Sequence, residues 1–442
     1  MTDLLSARYQ MGMSLGFHII FSCVGIAMPL LMVIAEILHQ RTGEAIYLTL
    51  ARRWAVGSAI MFAVGAVSGT VLSFELGLLW PHFMRWAGAI IGMPFSLEGF
   101  AFFTEATFLG IYLYGWDRVS PRMHIAAGVI VALSGMASGI FVVMANAWMN
   151  SPVGFRLEHG RPVDINPIAT LHNPSALAEV LHMTIAAYVA TGFAVAGIHA
   201  AMLLRERDNR FHRMGLAIAL AVGGIFALVQ PVAGDYAARS VARLQPIKNA
   251  AFEGLFKTQA YAPLAIGGIP DAGARELRAA IELPGLLSFL DNHDFSSVVI
   301  GLDAYPESEW PPLTPVHVAF QIMVAIAGIL ALLPLWAGYL RWRTGSIYHS
   351  VWLLYALIGA APLGFVAVEA GWVVTEVGRQ PWIIYRVMRT ADAVTPMPGL
   401  VAWFSVFSII YAFLAVTVAY MLWRQVMQSP SAAELAAAQA TV

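Results

Sequence analysis

The chain has 442 residues, of which 59% are hydrophobic and only 12% charged, with a formal net charge of −1. A soluble globular chain carries about 25% charged residues, so a soluble domain is excluded; the near-neutral balance itself says little about partners, and no nucleic acid is expected among them. The single cysteine, Cys23, has no partner in the chain, which excludes an internal disulfide.

Runs of roughly 18 or more apolar residues mark membrane-crossing helices. Nine are predicted, in chain order: 14–38, 54–79, 93–116, 124–149, 176–204, 213–236, 315–341, 350–376 and 398–423. The opening "MTDLLSARYQMG" has neither the basic start nor the small-residue cleavage site of a signal peptide, so the first span is expected to be retained. The fold class is an all-α integral membrane bundle of about nine helices, a single polytopic domain over residues 1–442. Within it, residues 237–314 form a long polar loop between the sixth and seventh spans, rich in Pro, Gly, Asp and Glu. A loop of this length is usually functional. "GMASG" at 135–139 has the spacing of a close helix contact.

Lysine and arginine placement sets the expected orientation. Arg41, Arg52, Arg53, Arg118, Arg122, Arg205, Arg207, Arg210, Arg213, Arg341, Arg343 and Arg424 all fall on one side. That side is read as the cytoplasm, with the C-terminus there and the N-terminus and long loop outside.

Ionisable groups inside membrane helices are rare and mark function by default. At 1.5 Å of rise per residue, His18, Glu98, His182, Glu369 and Met323 lie about 6, 8, 9, 10 and 12 Å from the outer ends of five different spans. Glu105, seven residues past Glu98, shares its face two turns deeper. Imidazole, thioether and carboxylate are axial ligands for haem iron, so one layer over five helices could hold more than one haem. Taken singly, each has a plainer reading: a histidine bonded to a backbone carbonyl at the interface, a methionine that only packs, or a glutamate that is protonated or paired. His39, His124, His199, His212 and His349 read as interfacial residues of the cytoplasmic ends, and His317, which opens the seventh span, could be either. No C-x-x-C-H haem attachment or phosphate-cradling loop is present.

Long ordered segments carry a resemblance to a known family: "GFHIIF", "SLEGFAFFTEATFLGIYLYGWDR", "VMANAWMNSPVG", "LHMTIAAYVATG", "IKNAAFEGLF", "GGIPD", "FQIMVAIAG" and "GWVVTEVGRQPW". Together they resemble subunit I of cytochrome bd-type quinol oxidases over nearly the whole chain, in the short-loop form and similar to the cyanide-insensitive branch. The resemblance implies three haems: low-spin b558 on His182 and Met323, b595 on Glu369, and haem d (or a third haem b in its place) on His18. It also implies Glu98 beside haem d, Glu105 on its proton path, and Lys248 with Glu253 as the loop pair tied to quinol oxidation. Without the resemblance, Lys248 and Glu253 read as a solvated loop surface. Arg379 is placed to pair with a haem propionate. Trp372 and Trp382 either pack a macrocycle or belong to the interfacial aromatic belt. Gln321 stands where many relatives carry arginine.

The function so implied is the haem-bearing catalytic subunit of a terminal quinol oxidase in the bacterial inner membrane, working with a second membrane subunit, with or without a small single-span one. It would oxidise quinol outside and reduce O2 to water with protons taken from the cytoplasm, generating proton motive force without pumping. The alternatives are a proton- or ion-coupled transporter, which predicts broken helices and repeat symmetry, and a haem-bearing anchor that relays electrons without meeting O2.

Overall fold

A computed structural model describes residues 2–439. Among these, nine helical segments are long and apolar enough to cross a membrane: Asp3–Thr42, Ala45–Leu79, Pro81–Tyr114, Pro121–Asn150, Ala176–Arg205, Arg210–Leu244, Leu313–Thr344, Val351–Glu376 and Leu400–Val426. They are referred to below as spans one to nine. The expected count holds, but most of the helices are longer than their apolar stretches. A 40-residue helix such as the first is about 60 Å long, twice the roughly 30 Å of hydrocarbon it must cross.

Local chemistry explains the extensions. The Thr2 hydroxyl accepts from the Leu5 amide and starts the first span well before its apolar run. Pro81 and Pro121 open the third and fourth spans, where a missing N–H costs nothing. Asn209 caps the sixth span through the Phe211 and His212 amides. That span runs on to Leu244 and the seventh begins at Leu313, so the connecting segment is shorter than the 237–314 expected from polarity. The eighth span is two helices, Val351–Ala360 and Leu363–Glu376, joined at Ala361 and Pro362. Both joining residues keep right-handed helical backbone angles, so this is a proline kink.

The fifth span is the most enclosed, with 72% of its apolar window buried, and the ninth the least, with 11%. The fifth is therefore the central post, and the ninth is peripheral. Small residues let the backbones close on that post, as membrane packing requires. A Cβ added to Gly192 would stand 2.5 Å from the Gly223 Cα of the sixth span, and one on Gly364 2.4 Å from the Ala190 Cα. Gly139 of "GMASG" meets the Ile26 side chain in the same manner, as its spacing suggests.

Between the sixth and seventh spans the chain folds into a cap. Helix Pro246–Glu253 has every residue from Ile247 to Glu253 buried. Antiparallel strand pairs follow, Leu264–Ile266 with Ile281–Leu283, Ile269–Asp271 with Glu276–Arg278, and Gln259–Ala260 with Val298–Val299, along with helix Leu286–Asn292.

The Gly192–Gly223 contact yields a stability test. Gly192→Val should lower the thermal unfolding midpoint in detergent by an amount matching about 1–3 kcal/mol of overpacking. Gly57→Ala, where an added Cβ meets nothing within 4 Å, should leave the midpoint unchanged or slightly raised.

Candidate functional site

A cavity of about 600 Å³ opens between the first four spans and the end of the eighth. Its wall includes His18, Glu98, Glu105, Trp372, Glu376 and Arg379. Five of these were predicted site residues, so side chains distant in sequence converge on one space. His18 projects from the first span, its Nδ1 2.9 Å from the Ser68 hydroxyl and its Nε2 3.0 Å from that of Ser22. The ring fits because residue 69 is glycine: a Cβ there would lie 2.9 Å from His18 Cε1. Glu98 takes a long bond from the Ser138 hydroxyl at 3.4 Å. Two turns deeper, the buried Glu105 carboxylate occupies the room left by Gly135, whose added Cβ would sit 3.1 Å from Glu105 Oε1. The "GMASG" segment thus makes a close helix contact and a carboxylate niche at once.

Three predicted iron-holding residues lie outside that lining. Glu369 turns to the first span, its Oε2 3.1 Å from where a Gly16 Cβ would be, and its buried Oε1 has no partner among the described residues. His182 faces the sixth span, with Gln230 Nε2 3.2 Å from its Nδ1. The Met323 sulfur lies against Gly371 of the eighth span, 3.1 Å from its Cβ position. Trp382 stands apart in strand Trp382–Ile384, covered by the Arg389 guanidinium at 5.0 Å.

Lys248 and Glu253 do not form a solvated loop surface. Both are buried, because helix Pro246–Glu253 docks into the bundle instead of lying on it. The Lys248 ammonium donates to Asn150 Oδ1 at 2.9 Å. Burial, reinforced by the nearby Arg379 cation and opposed by Glu179 and Glu376, holds its pKa well below the lysine range. Burial and then the Asp291 carboxylate push Glu253 up to about 8, and its Oε2 is unpartnered among the described residues. Asp291 is itself raised to about 6 by burial, against a 2.8 Å bond from Asn249.

Sequence reasoning missed the hub that joins these parts. Asn150, the last residue of the fourth span, accepts through Oδ1 from Lys248, from Gln245 at 3.2 Å and from Arg379 at 3.3 Å. Its Nδ2 donates to Glu179 at 3.0 Å. Glu376 pairs with Arg379 and accepts from Asn146. The polar pair Asn146 and Asn150, one turn apart in "NAWMN", was a legible signal; its partners were not. Other expectations need correcting. His124 is buried against Glu36 at 2.8 Å and His199 meets His212 at 3.0 Å, so these are paired inside the protein, whereas His39 keeps the expected span-end bond to a backbone carbonyl, that of Glu44.

The raised carboxyls give the cap a pH dependence. A carboxyl whose folded pKa is raised stabilises most below its ordinary value and loses that contribution as pH rises through the shifted one. The protection factors of the amides in helix Pro246–Glu253, which exclude the intrinsic pH dependence of exchange, should therefore fall between pH 4.5 and about 8, and Glu253→Gln should flatten that fall. Unchanged pH dependence in the variant would remove Glu253 as its source.

The family described as cytochrome bd terminal oxidase subunit I matches residues 6–430. A Bacillus subtilis protein carrying the name of a cytochrome bd menaquinol oxidase subunit I is 38% identical over 426 residues, 96% of each chain. Subunit 1 of the Escherichia coli cytochrome bd-II ubiquinol oxidase is 27% identical over 497 residues, again 96% of each. The solved bd oxidase of Geobacillus thermodenitrificans superposes with a TM-score of 0.91 at 36% identity, covering 97% of this chain and 99% of that one. With a family match that runs over residues 6–430, almost end to end, this chain belongs to the cytochrome bd terminal oxidase subunit I family.

Proposed function

We propose that this chain oxidises quinol at its outward-facing cap and reduces O2 to water at the membrane cavity, in the bacterial inner membrane beside a second subunit. The observation that carries the reading is the continuity of the site. Cap residue Lys248 and cavity residue Arg379 share one acceptor, Asn150 Oδ1, so donor side and cavity are parts of one buried assembly. Membership in a family of terminal oxidases displaces both the transporter and the relay-anchor alternatives.

The residues present fit haem. The cavity lies within the roughly 300–1,000 Å³ usual for bound cofactors. It offers an imidazole at its wall and a buried arginine whose Nε is unpartnered. His182 and Met323 would hold the b558 iron, His18 that of haem d or its b replacement, and Glu369 that of b595. Glu376 is a second candidate for the carboxylate role, because it borders the cavity with His18 and Glu369 does not. When bound, haem supplies the electron-carrying and O2-reducing iron.

The protein's own groups handle binding and protons. Lys248 has three donors and gives one to Asn150, leaving others for a quinone oxygen. Glu253, with a pKa near working pH and a free Oε2, is suited to take up and release a quinol proton. Glu98 and Glu105 stand one below the other on the cavity wall, which suits proton delivery from the cytoplasmic side. With quinol protons released outside and water protons taken from inside, charge separates without a pump.

Spectra test the ligand roles. His182→Ala or Met323→Leu should each abolish the low-spin haem signal in a reduced-minus-oxidised spectrum, and an unchanged low-spin band in both would overturn that pair. Glu369→Gln and Glu376→Gln together decide the carboxylate: the true ligand's variant should lose a high-spin signal while the other keeps it.

Proton delivery is tested at Glu105. Glu105→Gln keeps the volume but cannot shuttle a proton. Quinol should still reduce the haems in this variant, whereas O2 consumption should fall roughly a hundredfold, the usual scale for losing an acid–base group. Normal turnover with normal proton uptake in proteoliposomes would take Glu105 off the path.

A further inference from the structure

His317 and Gln321 sit one turn apart on the seventh span, so both side chains project from one face of it. They meet backbone from two separate parts of the cap. The His317 ring lies between two carbonyls, with Nδ1 2.7 Å from Phe252 O and Nε2 3.1 Å from Gly267 O. Gln321 uses both ends of its carboxamide: Oε1 accepts from the Gly267 amide at 2.9 Å, and Nε2 donates to Ala265 O at 3.1 Å.

The cap backbone is shaped to receive them. Gly267 and Gly268 have φ of +70° and +97°, a left-handed turn between strands Leu264–Ile266 and Ile269–Asp271 that presents the Gly267 N–H and C=O to the seventh span. Gly254, at φ +71°, ends helix Pro246–Glu253 directly beside the His317 ring. His317 is fully buried and both its nitrogens face carbonyls, so it belongs to the packing between the seventh span and the cap. A carboxamide both donates and accepts, which is what this backbone asks for. A guanidinium has five donors and no acceptor, so an arginine at this position could not take the Gly267 N–H.

We propose that His317 and Gln321 are a positioning clamp that fixes the cap to the seventh span, and that the cap's hold on quinol depends on it. Through Phe252 the clamp sets the residue next to Glu253, and through Ala265 and Gly267 it sets the first hairpin. The second half of the proposal rests on the reading of the cap as the quinol site; the first does not. The residues touch the cap backbone and not the substrate, so their effect is on affinity.

The test is hydrogen–deuterium exchange on the intact oxidase carrying Gln321→Met, which keeps length and removes both polar ends. Exchange at Gly267 and in strand Leu264–Ile266 should rise about tenfold, the scale of one net hydrogen bond. The quinol KM should rise with a smaller change in kcat, and the low-spin spectrum should stay as in wild type. Wild-type exchange at Gly267 would overturn the clamp. Faster exchange with an unchanged quinol KM would overturn its link to quinol and leave the reading of the cap itself untouched. Should Gln321→Met fail to assemble, Gln321→Glu decides: it retains an acceptor for the Gly267 N–H, so that amide should stay protected, and its loss of protection would count against the proposal.

Discussion

A charge buried away from water must find its compensation inside the protein, and at the rim of this bundle much of that compensation passes through the carboxamide of Asn150. The Lys248 amine and the Arg379 guanidinium lie on its oxygen, and the Glu179 carboxyl on its nitrogen. Glu376 closes the balance by pairing with Arg379. A neutral amide serves here because it accepts from two nitrogen donors while donating to a carboxyl oxygen, and a carboxylate could not do the second. Glu179 sits in the first turn of the fifth span, where the helix N-terminus adds its own positive end. The groups that meet come from the fourth, fifth and eighth spans and from the cap. Removing one would leave buried charge uncompensated, which is far more costly than never having buried the group.

The same economy of contact appears in the backbone packing. Lipid gives no hydrophobic drive between helices, so close approach through small residues takes its place. Gly192 against Gly223 and Gly364 against Ala190 bring the sixth and eighth spans onto the fifth. At Gly69 the space saved goes to an imidazole, and at Gly135 it is shared between the Glu105 carboxylate and the Gly25 carbonyl of the first span. Density in the centre and room at the cavity wall therefore come from one device, used with different occupants.

The nine spans were legible because lipid imposes an apolar length that no other environment asks for. Their ends were not, since capping by Thr2 and Asn209 and the docking of the cap extend helices beyond the apolar run. His18, Glu98 and Glu105 were legible as a group because depth along a helix follows from residue count alone. Which carboxylate of the eighth span borders the cavity was not legible, because Glu369 and Glu376 are two turns apart and a shared face does not say which level opens into space. The internal pairs Glu36–His124 and His199–His212 escaped for a related reason. A histidine near a span end looks interfacial until the helix packed against it is known.

Burial of the cap helix has a consequence for the chemistry. A lysine and a glutamate on an exposed loop would keep their ordinary affinities for protons and add little selectivity. Inside helix Pro246–Glu253, desolvation moves both toward neutrality, Lys248 downward and Glu253 up to about 8. Groups so shifted exchange protons readily near neutral pH, but only while the helix stays docked and water stays out. The Asn150 contacts hold its middle, and the seventh span, through the Phe252 carbonyl, holds its end. The proton affinity of the cap is in this sense a property of its attachment to the bundle.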